Sequence, residues 1–298
     1  MKYGAVSATL GLMNTACWLS ASDLSRQLDV GGVTSAEAVH SVLERMRQCE
    51  PKLNAIYLNK SDSARVAADA SDTRWAAGKP KGPLDGVPVT VKENIYTVGD
   101  PAPIGTAANS TEPKAINSPV ADRLREAGLV LVGKTTMPDF GMLSSGQSSL
   151  HGVTRNPWQL TRNPGGSSSG AGAACAAGYG PLHIGTDIGG SIRLPASFCG
   201  IFGLKPSLGR VPINPPYMGR VAGPMTRTVL DAALLMNVIA QPDPDHRDFM
   251  NLPSQNVDYV AELERFTLKG KRIGVLTDLR VGREVQADVA AAAWDCGQ

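Results

Sequence analysis

The chain is short of histidine. Only four occur in 298 residues, at positions 40, 151, 183 and 246. An α/β-hydrolase triad needs a serine elbow with a later acid and histidine in that order, and with so few histidines that triad is a poor fit. Cysteine is also scarce: the five, at 17, 49, 175, 199 and 296, include no CxxC pair. That excludes a disulfide framework and a zinc site, and reads as buried thiols in a reducing, cytoplasmic compartment. Cys199, close to Ser191 in the chain, reads as a small core residue, since no suitably placed histidine would activate its thiol. Excess charge is missing too, because 29 basic and 27 acidic side chains leave +2. Such balance gives neither a nucleic-acid groove nor a surface for anionic membranes, and it suits a small-molecule substrate. No apolar run is long enough to span a bilayer. Met1 to Ser20 is mildly apolar but is broken by Ser7, Thr9, Asn14 and Thr15, a weak secretory signal at most, and Met13 serves as a start as well as Met1. Ser-x-x-Lys is absent throughout, which removes the penicillin-binding arrangement. Internal repeats, charge blocks and low-complexity tracts are likewise missing.

What is present alternates between two periods. Thr34-Ser35-Ala36-Glu37 has capping-box spacing and opens a helix with Val39, Val42, Leu43 and Met46 on one side, expected to end before Pro51. A second, alanine-rich helix is expected over 61–77. Leu84 to Lys92 reads as a strand entered from a tight loop, Ser118 to Ala127 as a helix, and Leu129 to Val132 as a short buried strand. The stretch from Gly141 to Gly170 reads as ordered loop and Ala171 to Ala177 as a helix of small residues packed very close to a neighbour. His183 to Thr186 is a strand, Thr226 to Ala240 an apolar helix, Arg272 to Thr277 a strand and Arg283 to Asp295 an amphipathic helix. This alternation is the α/β pattern. The expected division is an N-terminal extension over 1–21, with order not required of it, and one domain over 22–298. The last strand and helix read as a half-finished βα unit, which suggests the front part of a longer protein.

Two motif matches fail on context. Gly128 to Thr135 fits the phosphate-loop pattern GxxxxGK[ST] letter for letter, but a phosphate loop follows its strand, whereas Leu129 to Val132 must be the strand. Gly166-Ser167-Ser168-Ser169-Gly170 fits GxSxG, but Arg162-Asn163-Pro164 before it is a turn rather than a strand. What survives is a serine and lysine chemistry drawn from distant segments. Ser191 follows Gly189-Gly190, which let the backbone turn sharply toward a bound carbonyl. The amides of Ile188, Gly189, Gly190 and Ser191 then form a candidate oxyanion hole. Lys92 ends an apolar strand, where burial would lower its pKa and make it a base. A serine of the 167–169 loop is placed to relay a proton between them. The alternative from the residues alone is that Lys92 pairs with a carboxylate and the Gly/Ser loops are only turns.

Gly165 to Gly170, Gly185 to Ala196 with Phe198 to Pro206, Gly86 to Asn94 and Gly223 to Val229 together closely resemble the amidase signature family, a likeness that covers nearly everything from Ser22 on. The resemblance implies an α/β amidase signature fold: a central mixed, twisted sheet covered by helices on both faces, truncated at its C-terminal end. It implies a Ser, cis-Ser, Lys triad in which Ser191 is the nucleophile, Ser167 the bridging serine behind a cis peptide bond and Lys92 the base. Ser168 and Ser169 then either support the site or pack the loop, with the loop role favoured, and Asp187 and Arg193 flank the nucleophile turn, where a salt bridge bracing it is favoured over contact with substrate.

The implied activity is hydrolysis of a carbon to nitrogen amide bond through a Ser191 acyl-enzyme, with no cofactor, no metal, no nucleic acid and no membrane. Room is left for a homodimer. In the glutamine-hydrolysing subunit of tRNA-dependent amidotransferases, threonine usually stands where this chain has Ile188, which tilts the reading toward a general amidase. The alternatives are that glutamine-hydrolysing subunit, a non-catalytic remnant, or a chain that a partner completes.

Overall fold

The computed structural model describes residues 15–253, 256–276, 281–282 and 284–297. A short turn at Ala16–Trp18 leads into α1 (Ala21–Asp29). Ala16, Cys17 and Ala21 are buried and the Cys17 amide donates to Ser41 Oγ at 3.1 Å, so these three residues pack into the core instead of belonging to a loose extension. The part of that extension before residue 15, with most of its weak signal and the second methionine, lies outside the described residues. The Thr34 cap forms as its spacing requires: Thr34 Oγ1 accepts from the Glu37 amide at 3.1 Å and Glu37 Oε2 accepts from the Thr34 amide at 2.9 Å. It opens α2 (Ser35–Leu53), and a cap of this type contributes about 1 kcal/mol. The helix runs through Pro51 and stops two residues later, where Asn54 turns left-handed at φ 52°; a proline in the last turn forfeits one bond and leaves the turn intact.

The remaining elements are β1 (Ile56–Asn59), α3 (Ser61–Ala76), β2 (Pro88–Lys92), α4 (Pro119–Glu126), β3 (Val130–Thr135), the two-residue strands β4 (Gln147–Ser148) and β5 (Gly152–Val153), α5 (Ser169–Ala177), β6 (Leu182–Asp187), α6 (Arg193–Cys199), β7 (Phe202–Gly203), β8 (Val221–Thr226) and α7 (Val229–Ile239). Six strands form one mixed sheet in the order β1-β3-β2-β6-β8-β7. β3, β2 and β6 run parallel at its centre, and β1, β8 and β7 pair antiparallel with their neighbours.

Alternation along these strands divides the core in two. Val89 and Val91 of β2 and Leu182 and Ile184 of β6 pack with Leu24 of α1, Val120 and Leu124 of α4 and Leu235 and Ile239 of α7. On the other face, Val130 and Val132 of β3 pack with Val39, Val42 and Met46 of α2, Ala64 and Ala68 of α3 and Ala173 and Ala177 of α5. Helices therefore cover both faces, as the α/β pattern requires. Each Val, Leu or Ile so buried contributes roughly 1.5 to 3 kcal/mol, which outweighs any single cap.

Three expected elements differ. The helix expected from Thr226 starts at Val229, because Thr228 caps it by accepting from the Asp231 amide at 3.1 Å, and the preceding Val221–Thr226 is strand β8. Residues 272–276 form no strand: they are largely exposed and, among the described residues, pair with no other strand, and Thr277 lies outside the described residues. The helix expected over 283–295 is shorter at its start, running Ala287–Gly297 as α9. Where the sequence reading runs one domain to the end of the chain, the structure divides into two compact units at Leu263/Glu264. The first holds the sheet and ends within α8 (Tyr259–Arg265), and the second carries α9. Among the described residues no helix is long and apolar enough to cross a membrane.

The lysine of the apparent phosphate loop sits inside β3. Lys134 is fully buried and, among the described residues, its Nζ has no hydrogen-bond partner. Burial pushes its pKa down to about 8, against the pull of Asp100 and Glu93. A base held lower in the folded chain than in the unfolded one adds stability only above its folded pKa. Relative to Lys134→Met, the wild type will therefore gain stability as pH rises from about 8 toward its ordinary value of 10.5, on the order of 3 kcal/mol. Urea denaturation of both proteins at pH 7 and pH 10 measures this difference. An equal difference at the two pH values would refute it.

Candidate active site

The site forms at the carboxyl ends of the parallel strands, where loops from neighbouring strands converge. Lys92 is the last residue of β2 and is 1% exposed. The alternation that puts Val89 and Val91 into the core turns Lys92 into the space under the 165–169 loop. There its Nζ donates to Ser167 Oγ at 2.8 Å. Burial is the main force on this lysine, and the nearby Arg220 cation adds to it; together they lower its pKa to about 7 despite Asp187 and Glu93. Lys92 pairs with no carboxylate: the ion pairs of the described residues leave it out, and Glu93 beside it is engaged elsewhere, accepting from the Gly105 amide at 2.9 Å and facing His151 Nε2 at 2.9 Å.

The Gly166–Ser167 peptide bond is cis. Ser167 and Ser191 line one cavity of about 640 Å³, together with Asn94, Thr186, Ile188, Gly189 and Arg220. Ser168 stitches the two loops: its amide donates to the Ser191 carbonyl at 3.1 Å, its Oγ donates to the Thr186 carbonyl at 3.1 Å, and the Thr186 amide donates back to Oγ at 3.2 Å. The loop has no spare room. A Cβ on Gly166 would fall 2.6 Å from both the Leu143 carbonyl oxygen and the Ser145 amide nitrogen, backbone atoms that cannot retreat alone. Gly166→Ala will therefore displace Ser167, lowering both the melting temperature and the turnover of an amide by at least about tenfold, because an ångström of misplacement is costly to a catalytic group. A melting curve and a rate at saturating substrate check this.

Asp187 ends β6 and organises the turn that carries Ser191. Its carboxylate, fully buried, accepts from the Gly190 amide at 2.8 Å, from the Ile192 amide at 2.9 Å and from Arg193 through its amide at 3.3 Å, its Nε at 3.1 Å and its NH2 at 2.9 Å. Burial alone would raise its pKa, but the Arg193 guanidinium and these amides hold it down at about 2. Gly190 has φ +123°, a conformation open to glycine and strained for other residues. This bracing corrects the expected set of four oxyanion donors. The Gly190 amide is committed to Asp187, whereas among the described residues no hydrogen bond uses the amides of Ile188, Gly189 or Ser191. Arg193 is half exposed and turned onto Asp187.

The other candidates are structural. Cys199 is buried, donates weakly to the Pro164 carbonyl at 3.4 Å, and has its thiol pushed up to about 12 by burial. His183 is buried between Thr90 Oγ1 at 2.7 Å and the Gly180 carbonyl at 3.2 Å, and burial lowers it to about 3. Two cavity residues escaped the sequence reading. Asn94, whose Nδ2 donates to Thr186 Oγ1 at 3.1 Å, follows Lys92 closely enough that the strand-end position could have flagged it. Arg220 lies in the Pro- and Gly-rich segment 212–223 and carries no local signal.

Comparison with known proteins adds to this geometry. A family model described as Amidase matches residues 37–297. A glutamyl-tRNA(Gln) amidotransferase subunit from Chloroflexus aurantiacus is 43% identical over 256 residues, 83% of this chain and 51% of that protein. The subunit of the same name from Synechococcus sp. is 42% identical over 274 residues, 88% of this chain and 55% of that protein. Among solved structures, native peptide amidase from Stenotrophomonas maltophilia superimposes with a TM-score of 0.76 at 33% identity, covering 82% of this chain and 52% of that one. A bacterial aryl acylamidase gives 0.76 at 35% identity, covering 83% and 52%. The chain thus spans about half the length of the curated relatives it matches.

Proposed function

Because the chain belongs to the amidase signature family, we propose that it cleaves a carbon to nitrogen amide bond through an acyl-enzyme on Ser191. The observation that carries this reading is the 2.8 Å contact of a buried, charge-poor Lys92 with Ser167, in a cavity that Ser191 also lines. Neutral Lys92 takes the proton of the Ser167 hydroxyl as Ser167 takes that of Ser191, and Ser191 Oγ forms a bond to the amide carbon. The carbonyl oxygen then carries the negative charge and receives hydrogen bonds from the amides of Ile188, Gly189 and Ser191. On collapse the carbon to nitrogen bond breaks, the proton on Lys92 returns through Ser167 to the departing nitrogen, and the amine leaves neutral. Water next attacks the ester by the same relay and releases the carboxylic acid.

A second reading names the amide. The curated relatives cited above are subunits of glutamyl-tRNA(Gln) amidotransferase, and likeness over most of this chain outweighs the single residue Ile188 that favoured a general amidase. In that reading the substrate is glutamine, the product ammonia, and further subunits are partners.

A fluorophosphonate probe tests the acyl-enzyme directly. The parent chain is expected to label and Ser191→Ala to stay unlabelled. A folded parent that does not label, or equal labelling of both proteins, would defeat the proposal. Ammonia release from glutamine, set beside release of aniline from an anilide, separates the two readings of substrate.

A further inference from the structure

Arg220 is a cation in the active-site cavity that Asp248 offsets only from a distance, that carboxylate's hydrogen bonds coming from the Ile213 and Met250 amides. Two other arginines set into the fold have carboxylates close by: Arg74 has Asp85, and Arg247 has Asp122 at 2.8 Å and Asp243 at 2.6 Å. Among the described residues Arg220 has none within ion-pair distance. Its guanidinium donates to the Pro215 carbonyl and lies 5.6 Å from the centre of the Tyr217 ring. Neither neighbour is an anion. The one carboxylate that lines the same cavity, Asp187, is saturated by Arg193 and three amides. A half-buried guanidinium is costly to leave unpaired, and its planar fork is built for a bidentate partner.

The cavity is otherwise predominantly apolar. Ile104, Phe140, Met142, Leu143 and Leu194 face it, and Ser167 and Ser191 stand on the same wall system as Arg220. A ligand that fills it meets a nucleophile, a cation and apolar side chains in one cavity. The geometry points to an amide substrate that carries a carboxylate, with Arg220 as the residue that binds it.

This rests on the amide-hydrolase reading given above and adds the class of substrate to it. Glutamine and a half-amide of a dicarboxylic acid both have this chemistry. Arg220 also has a second effect, because its cation helps hold Lys92 near neutral, so a bound carboxylate would offset the very charge that keeps the base deprotonated before substrate arrives.

The test compares matched pairs on the full chain. In one pair the carboxylate is on the acyl side, succinic acid mono-4-nitroanilide against butyric 4-nitroanilide. In the other it is on the amine side, N-acetyl-4-aminobenzoate against acetanilide. Wild type is expected to prefer the carboxylated member of one pair by roughly tenfold to a hundredfold in kcat/KM, as charged hydrogen bonds do, and the favoured pair tells which side of the amide Arg220 reads.

Arg220→Gln is expected to collapse that ratio. Arg220→Lys, which keeps the charge and loses the fork, should retain only part of it. No preference in either pair, or a full preference in Arg220→Gln, would overturn the assignment. Should Arg220→Gln fail to fold, a full preference in Arg220→Lys would overturn the bidentate role. Calorimetric binding of succinamate and butyramide to Ser191→Ala repeats the comparison without turnover, so weak catalysis and a wrong carboxylate site give different results: equal affinities for the two would overturn the Arg220 assignment even if the probe labels Ser191.

Discussion

Lys92→Met will lower kcat/KM for an amide by roughly 10²- to 10⁴-fold, the usual range for removal of a positioned general base. Methionine nearly matches the volume of the buried stem and carries no charge, so the fold should survive and the loss can be assigned to the missing amine. Far-UV circular dichroism and a cooperative melt check the fold, and single-turnover acylation checks the rate. Near-normal acylation in a folded Lys92→Met would remove this residue from the relay. The same assignment fixes a pH profile. The base works only when neutral, and burial with the Arg220 cation brings its pKa to about 7. Activity must therefore rise with pH on an acid limb centred near that value, with roughly a tenth of the plateau one unit below it. Removing the Arg220 cation lets the lysine hold its proton more tightly, so Arg220→Gln should move the limb to higher pH. A profile flat from mildly acidic to alkaline pH would contradict both.

Such chemistry was legible in the sequence where local rules and long-range packing agree. The capping box of α2, the apolar run of β3 and the small-residue helix α5 all follow from spacing and composition, and each lies within a residue or two of its expected place apart from the end of α2 and the length of β3. Rejecting the phosphate loop rested on the same logic: a Gly-to-Lys stretch that must be a strand leaves its lysine buried, as Lys134 is.

Strand β8 was not legible, because Gly223-Pro224 reads as a turn. It pairs along its length with β6, Ile184 opposite Pro224, and the Pro224 carbonyl accepts from the Leu204 amide at 3.0 Å, so the sheet overrides the local signal. At the site, glycines around Ser191 marked the turn and the family likeness named its partners. The commitment of the Gly190 amide to Asp187 could not be read, since it depends on which oxygen of the carboxylate faces which amide. Arg220 was hidden for a related reason: its importance comes from standing in the cavity without an ion-pair partner among the described residues, and that is a property of three-dimensional packing.

The turn itself supplies the remaining large effect. Asp187→Asn replaces an acceptor of five hydrogen bonds with a side chain whose amide nitrogen must face donors. At least one of the three amides now satisfied at 2.8 to 3.3 Å would then be unpaired, costing about 1 to 3 kcal/mol when buried. The turn will relax, and Ser191 and the Ile188 and Gly189 amides will leave their positions together. Acylation should fall by at least about 10²-fold, the scale for losing one oxyanion donor, and the melting temperature should fall with it.

Arg193→Gln separates this from a mere surface ion pair. Arg193 is half exposed, so water screens its charge, and the amides of Gly190 and Ile192 remain to hold Asp187. Its loss should cost less than about tenfold in rate. The carboxylate also predicts acid behaviour. Its folded pKa of about 2 lies below the ordinary 3.8, so its contribution to stability is complete above the ordinary value and disappears as pH falls through about 2. Acid titration of Asp187→Asn should therefore lack that portion of the wild-type transition. If Asp187→Asn and Arg193→Gln instead lose rate and stability equally, the ion pair would be the brace, and the backbone amides would have no separate part in shaping the nucleophile turn.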